Sequence, residues 1–272
     1  MQTAARDQSA QEKTVQRSLI MNAVSILLTA ACAGSEQAAS LPEEAPAPAA
    51  AADKQFLLTY PNLANPGGEV LFENERVVVQ RFVVGPGEWE GIHSHPGNQL
   101  YVHVKGGQWS GITGGGEPTL SGPASEDGSV GWMDPIPLSE GHESGNTGDT
   151  PIDLIWVTLK EDAPAAPDVD HPGQIYPDIP LELLLENDRV IVQRVQVEPG
   201  QWEGIHSHPG DQLYIHIKGG VWSERRGGEQ RDPSPFSETG SVGWMNAVDL
   251  SEGHESGNTG DTTIDLIWVT LK

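Results

Sequence analysis

The sequence predicts an all-β fold in two tandem copies, and three observations predict it. Valine-rich runs such as RVVVQRFVV and RVIVQRVQV carry the period-2 alternation and β-branched content of strands. Turn signals (GPG, HPGN, KGG, GNTGD) separate such runs at short spacing, with no convincing amphipathic helix between them. Many short strands joined by Gly and Pro turns suggest an antiparallel sandwich or barrel. The whole pattern also occurs twice: ENERVVVQRFVVGPGEWEGIHSHPGNQLYVHVKGG at 73–107 returns as ENDRVIVQRVQVEPGQWEGIHSHPGDQLYIHIKGG at 186–220. A period of this length describes two domains rather than a solenoid.

Residues 1–33 read as a targeting segment. Arg17 precedes the apolar stretch SLIMNAVSILLTAACAGS, which is too short and mixed for a membrane span. The small residues before Cys32 resemble a bacterial lipoprotein signal, in which Cys32 becomes the lipidated first residue, although Thr29 stands where Leu is usual. Ala31-Cys32-Ala33 fits an ordinary cleavage site as well. Either reading exports the protein, to the periplasm or to an envelope-anchored lipoprotein; a tail without a targeting role is the remaining alternative. Residues 34–57, rich in Ala, Pro and Glu, read as a disordered tether.

The first copy spans residues 58–160, with strands at RVVVQRFVV, QLYVHV, GSVGWM and IDLIWVTL. A linker, residues 161–173, leads to the second copy at 174–272, which repeats those strands. His206 follows His93 by 113 residues, whereas His254 follows His142 by 112. One residue has therefore been lost in the loop between, where the copies also differ most: ITGGGEPTLSGPASEDGS against ERRGGEQRDPSPFSETGS.

Composition excludes several classes. The chain has 272 residues and a formal charge of −24. Such a charge opposes nucleic acid, whose phosphates need a basic face, and peripheral binding to anionic lipid. Membrane contact is then expected only through a lipid on Cys32. The single cysteine, Cys32, excludes an intrachain disulfide and a thiolate metal site.

The chemistry lies in histidines. Eight of nine form two matching sets: His93, His95, His103 and His142, then His206, His208, His216 and His254. In the first set His93, His95, Gln99, Tyr101 and His103 share odd parity, so one strand face can present all five inward. Leu100, Val102 and Val104 take the opposite face, which must be buried against a second sheet or the sister domain. Glu90 and Glu203 have even parity and read as surface, and the tryptophans as core and pocket walls. Arg81 and Arg194, between apolar neighbours, read as buried ion pairs.

At these residues the chain resembles the cupin superfamily. The first family motif, Gly-x5-His-x-His-x3,4-Glu-x6-Gly, reads here Gly87, His93, His95, Gln99, Gly106. The second, Gly-x5-Pro-x-Gly-x2-His-x3-Asn, reads Gly131, Pro137, Ser139, His142, Asn146. The second copy gives Gly200, His206, His208, Gln212, Gly219, then Gly243, Asp249, Ser251, His254, Asn258. The resemblance implies a bicupin: two jelly-roll β-barrels, each binding a divalent transition metal (Fe, Mn, Ni, Zn, Co or Cu). The implied ligands are His93, His95, Gln99 and His142 in one half, and His206, His208, Gln212 and His254 in the other. Glutamine replaces the family's glutamate in both halves. A neutral ligand set leaves the ion's charge uncompensated and favours an anionic small-molecule substrate. Alternatively the glutamine does not bind, leaving a three-histidine site of the kind some cupin dioxygenases use. Family members commonly pair through their sheets, which implies a homo-oligomer.

Tyr101 and Tyr214 are candidates to orient substrate at an open position, with core packing as the alternative. His103 and His216 are candidate acid/base groups, or satisfied core groups. Three functions remain in play: a small-molecule metalloenzyme, a non-catalytic envelope module binding a ligand or metal, and a structural lipoprotein with vestigial sites. Within the first, a dioxygenase is favoured over a lyase or isomerase acting on a hydroxy, keto or sugar acid.

Overall fold

The computed structural model describes residues 54–160 and 173–272. The targeting segment with Cys32, most of the tether, and the linker with His171 lie outside the described residues. No helix among the described residues is long and apolar enough to cross a membrane.

Each half is eight strands in two antiparallel sheets, as the turn-rich sequence predicts. The first half runs β1 (Glu69–Glu73), β2 (Val77–Val84), β3 (Gln99–Lys105), β4 (Trp109–Ile112), β5 (Thr119–Leu120), β6 (Val130–Met133), β7 (Glu143–Asn146) and β8 (Ile152–Leu159). The second repeats it as β9 (Glu182–Glu186), β10 (Val190–Val197), β11 (Gln212–Lys218), β12 (Trp222–Arg226), β13 (Glu229–Gln230), β14 (Val242–Met245), β15 (His254–Asn258) and β16 (Ile264–Leu271). The large sheets have the orders β1-β2-β8-β3-β6 and β14-β11-β16-β10-β9. The small sheets have the orders β5-β4-β7 and β13-β12-β15. Eight strands in a double sheet is the jelly-roll arrangement.

Alternation decides which residues face which compartment. On β3, Leu100, Val102 and Val104 join Leu213, Ile215 and Ile217 of β11 in one buried cluster, with Val79, Ile155, Val157, Val192, Ile267 and Val269. The large sheets of the two halves therefore share a core. The opposite faces turn inward: Phe82, Val84, Leu154 and Trp156 meet Leu58, Tyr60 and Leu63 inside the first half. The second half repeats this with Tyr176, Ile179, Val195, Leu266 and Trp268.

Individual side chains also reach from one half to the other. Arg76, 8% exposed, pairs with Asp211. Phe72 stacks on Trp244 at 5.7 Å between ring centroids. Arg81 makes a two-pronged pair with Asp153 (2.9 and 2.6 Å), and Arg194 does so with Asp265 (2.8 and 2.6 Å). Each guanidinium also lies against a glycine of the other half: Arg81 against Gly240 and Arg194 against Gly128. A two-pronged carboxylate pair fixes the guanidinium plane, which suits a group wedged at an interface.

Candidate metal centres

His93 and His95 lie on the approach to β3, and His142 immediately precedes β7. Hydrogen bonds bring the segments together: His93 N–H donates to His142 O (3.0 Å), while His95 and Ile136 exchange backbone bonds of 2.9 and 3.1 Å. Gly141, at φ 60°, turns the chain out of a single 3-10 turn into His142. The three side chains converge so that one nitrogen from each lies within 4.8 Å of the others. His206, His208 and His254 form the same group in the second half.

The ring orientations suit a metal. His93 Nδ1 donates to Gly91 O at 2.8 Å, leaving Nε2 as the free lone pair. His95 Nδ1 meets Gln99 Oε1 at 2.9 Å, and the two Nε2 atoms stand 3.0 Å apart. In the second half these distances are 2.8, 3.0 and 3.1 Å. A metal-bound imidazole typically donates its other N–H to a carbonyl in this way, which sets the tautomer. Two lone pairs facing each other at 3.0 Å in a buried site repel unless a proton or a cation lies between them. The donor set of neutral imidazoles therefore fits a divalent transition metal.

Burial keeps the rings neutral. It lowers His93 and His95 to about 4 and His206 to about 4. It lowers His208 to about 3. Glu203 is pushed the other way, up to about 8, again by burial. The signs predict the pH dependence of the metal-free protein. An imidazole with a lowered folded pKa takes up its proton only in the unfolded chain, so stability falls as pH drops from about 6.5 towards 4. The raised Glu203 acts oppositely, its contribution being lost as pH rises through 8. Thermal unfolding followed by circular dichroism should show the melting temperature of the metal-free protein falling below pH 6.5. A flat or rising profile there contradicts the burial of these rings.

The glutamines lie against the second histidine of each half. Gln99 and Gln212, expected as fourth ligands, stand behind the second histidine rather than beside it. Gln99 Oε1 is engaged with His95 Nδ1, on the far side of the ring from Nε2, while Gln99 Nε2 donates to Thr158 Oγ1 at 2.9 Å. Gln212 repeats this with His208 and Thr270. Each amide is fully buried and holds a ring. Loss of such a support typically lowers metal affinity by about 10–100-fold. Gln99→Ala should weaken binding at the first site by that order in a calorimetric titration, and an unchanged affinity would contradict this support of the His95 ring.

The glutamates require a correction. Glu90 and Glu203, expected on the surface, are each 2% exposed. Glu90 Oε2 lies 3.9 Å from His93 Nε2, and Glu203 Oε2 lies 3.8 Å from His206 Nε2. Burial raises the Glu90 carboxyl well above the usual range. Tyr60, packed edge-on to His93 at 4.7 Å, donates its hydroxyl proton to the Glu90 carboxyl, and Tyr176 does the same for Glu203. Both tyrosines come from the segments preceding the first strand of each half.

His103 and His216 are drawn away from the cluster. His103 Nε2 accepts from Trp109 Nε1 (2.9 Å), and Nδ1 meets Ser129 Oγ (3.1 Å). His216 is held the same way by Trp222 and Ser241. Both nitrogens of each imidazole are thus engaged by neighbouring side chains. The Tyr101 ring contacts His103 and Trp156, and its hydroxyl lies against Gly131, where a Cβ would sit 2.1 Å from it. Tyr214 packs on Gly243 likewise. Trp156 lies between Tyr101 and His95, with ring centroids at 5.3 and 5.1 Å, and Trp268 lies likewise between Tyr214 and His208, at 5.5 and 5.3 Å. Asn146 and Asn258 clamp turns: Asn146 Nδ2 donates to Val84 O (2.9 Å) and Thr150 O (2.8 Å).

Fold and site together define an all-β protein of two eight-stranded halves, each with a buried three-histidine centre. No family model and no curated protein matches the chain. Among solved structures it is similar to a cupin 2 conserved barrel domain protein from Leptotrichia buccalis, at 14% identity over 75% of this chain and 88% of that one, with a TM-score of 0.44. It is similar to a variant of oxalate decarboxylase from Bacillus subtilis (13%, 72% and 69%, TM-score 0.46). A salicylate 1,2-dioxygenase from Pseudaminobacter salicylatoxidans is similar as well (15%, 76% and 74%, TM-score 0.41). At such identities and scores, no activity is carried over from these proteins.

Proposed function

We propose that the protein is a divalent-metal-binding bicupin, and that it acts as a small-molecule metalloenzyme of the dioxygenase type. The observation that carries this is the three-histidine group in each half, with the glutamine set behind it. Three protein ligands leave positions open on an octahedral ion. A divalent ion held there supplies Lewis acidity and a place for a small oxygen ligand.

The chain's own residues do the rest. His93, His95 and His142 bind; Gly91 O and Gln99 orient the first two rings. Trp156 and Tyr60 wall the site against water. Because the imidazoles are neutral, the bound charge favours an organic acid as substrate.

Glu90 favours a second reading. Its carboxyl lies 3.9 Å from His93 Nε2 and is pushed above the usual range by burial, and a buried carboxyl there suits proton transfer in a lyase or isomerase. A non-catalytic envelope module is the third reading. The experiment is turnover by iron-loaded full-length protein across a panel of hydroxy, keto and sugar acids, with oxygen consumption recorded. Substrate-dependent oxygen uptake supports the dioxygenase. Anaerobic turnover sinks it in favour of the lyase, and binding without turnover favours the module.

We also propose export to the envelope, supported by the basic flank, short apolar run and small residues around Cys32. Cell fractionation tests it: a cytoplasmic protein overturns it, and loss of lipid labelling in Cys32→Ser separates lipidation from simple cleavage.

A further inference from the structure

We infer that the two centres are unequal, and that Glu224 makes the second the tighter metal site by fixing the ring of His254. The inference rests on the metal reading above and concerns how the two sites differ.

The halves match closely at the first two histidines, so the difference lies at the third. Glu224 Oε1 stands 2.9 Å from His254 Nδ1. The carboxylate is itself held, by Arg226 on one oxygen and by Arg231 on the other at 3.1 Å. Arg226 is tied in turn to Glu252 at 2.6 Å. In the first half Gly111 occupies this place. The registers show the equivalence: Glu224 pairs with Ser256 across β12 and β15, and Gly111 with Ser144 across β4 and β7. Gly111, Ile112 and Thr113 thus stand where Glu224, Arg225 and Arg226 stand. His254 is 5% exposed, whereas His142 is only partly buried.

Other features cancel. Ser144 and Ser256 approach their histidines equally, at 3.5 Å. Glu140 and Glu143 face His142, and Glu252 faces His254, so an acidic rim is common to both sites. What the second half adds is an acceptor in contact with Nδ1. A carboxylate there fixes one tautomer, locks the ring plane and raises the basicity of the donor nitrogen; removing such a partner typically costs about 10–100-fold in affinity. Arg226 and Arg231 offset part of Glu224's charge, but both are exposed to solvent screening and they hold the acceptor in place. At limiting metal, the second half therefore fills first.

The test is calorimetric titration of metal-free full-length protein with Co(II). Two classes of site are expected, at least tenfold apart, with His206→Ala removing the tighter and His93→Ala the weaker. Glu224→Ala should weaken the tighter class by about 10–100-fold and leave the other unchanged. Glu224→Gln, which keeps an acceptor oxygen, should lose less. Gly111→Glu is the converse. An added Cβ there meets nothing closer than Ser121 Oγ at 3.6 Å, and the variant should tighten the weaker class. Two equal sites, or a tight class indifferent to Glu224→Ala, would overturn the inference while leaving the metal reading intact. No Co(II) binding at either site overturns both.

Discussion

Replacing His93 and His206 together with alanine should abolish metal retention by the protein. Each substitution removes one of three ligands and the 3.0 or 3.1 Å Nε2–Nε2 approach to its neighbour. The remaining pair in each half has no third nitrogen within reach among the described residues, since His103 and His216 are bound to tryptophan and serine. The expected result is metal content near zero by elemental analysis, against retention by the unaltered protein treated identically. The fold should survive, because the rings line an interior rather than the shared core. Unchanged metal content would refute the site assignment.

The second large effect is on stability. Leu100 is fully buried between the two large sheets. Leu100→Ala should cost roughly 2–5 kcal/mol, the usual range for deleting a buried leucine side chain. Because Val192, Leu213 and Ile267 of the second half line the same cluster, both halves should lose stability together. Chemical denaturation should show one shifted transition. Two transitions, with only the first moved, would contradict a shared core.

Much of this was legible in the sequence, for a definite reason. Strand alternation survives wherever a strand is regular, so Leu100, Val102 and Val104 could be set apart from Gln99, Tyr101 and His103. It fails where the strand stops. Glu90 precedes Gly91, whose φ of 80° breaks the alternation, so counting parity back from His93 gave the wrong face. The intact repetition of WEGIHSH in both halves was the available signal. Spacing put Gln99 near His95 but could not say which side of the imidazole its oxygen would take. Tyr60 and Tyr176 lie in segments without periodicity, and only packing reveals them. Strands β4 and β7, WSGI and ESGN, lack apolar alternation and were invisible as strands. The sequence marks Arg81 and Arg194 as ion pairs, but their reach to Gly240 and Gly128 depends on how the halves meet.

The central claim is that three imidazoles in each half hold a metal with glutamine behind them, and X-ray absorption on Co(II)-loaded protein tests it most directly. The account predicts a spectrum fitted by three imidazole nitrogens per ion, with ligand distances of about 2.0–2.1 Å by analogy with zinc, the remaining positions being light solvent oxygens. Gln99→Ala with Gln212→Ala should leave that imidazole count unchanged while affinity drops. One imidazole or none per ion, or a first shell that loses an oxygen when both glutamines are removed, would contradict it.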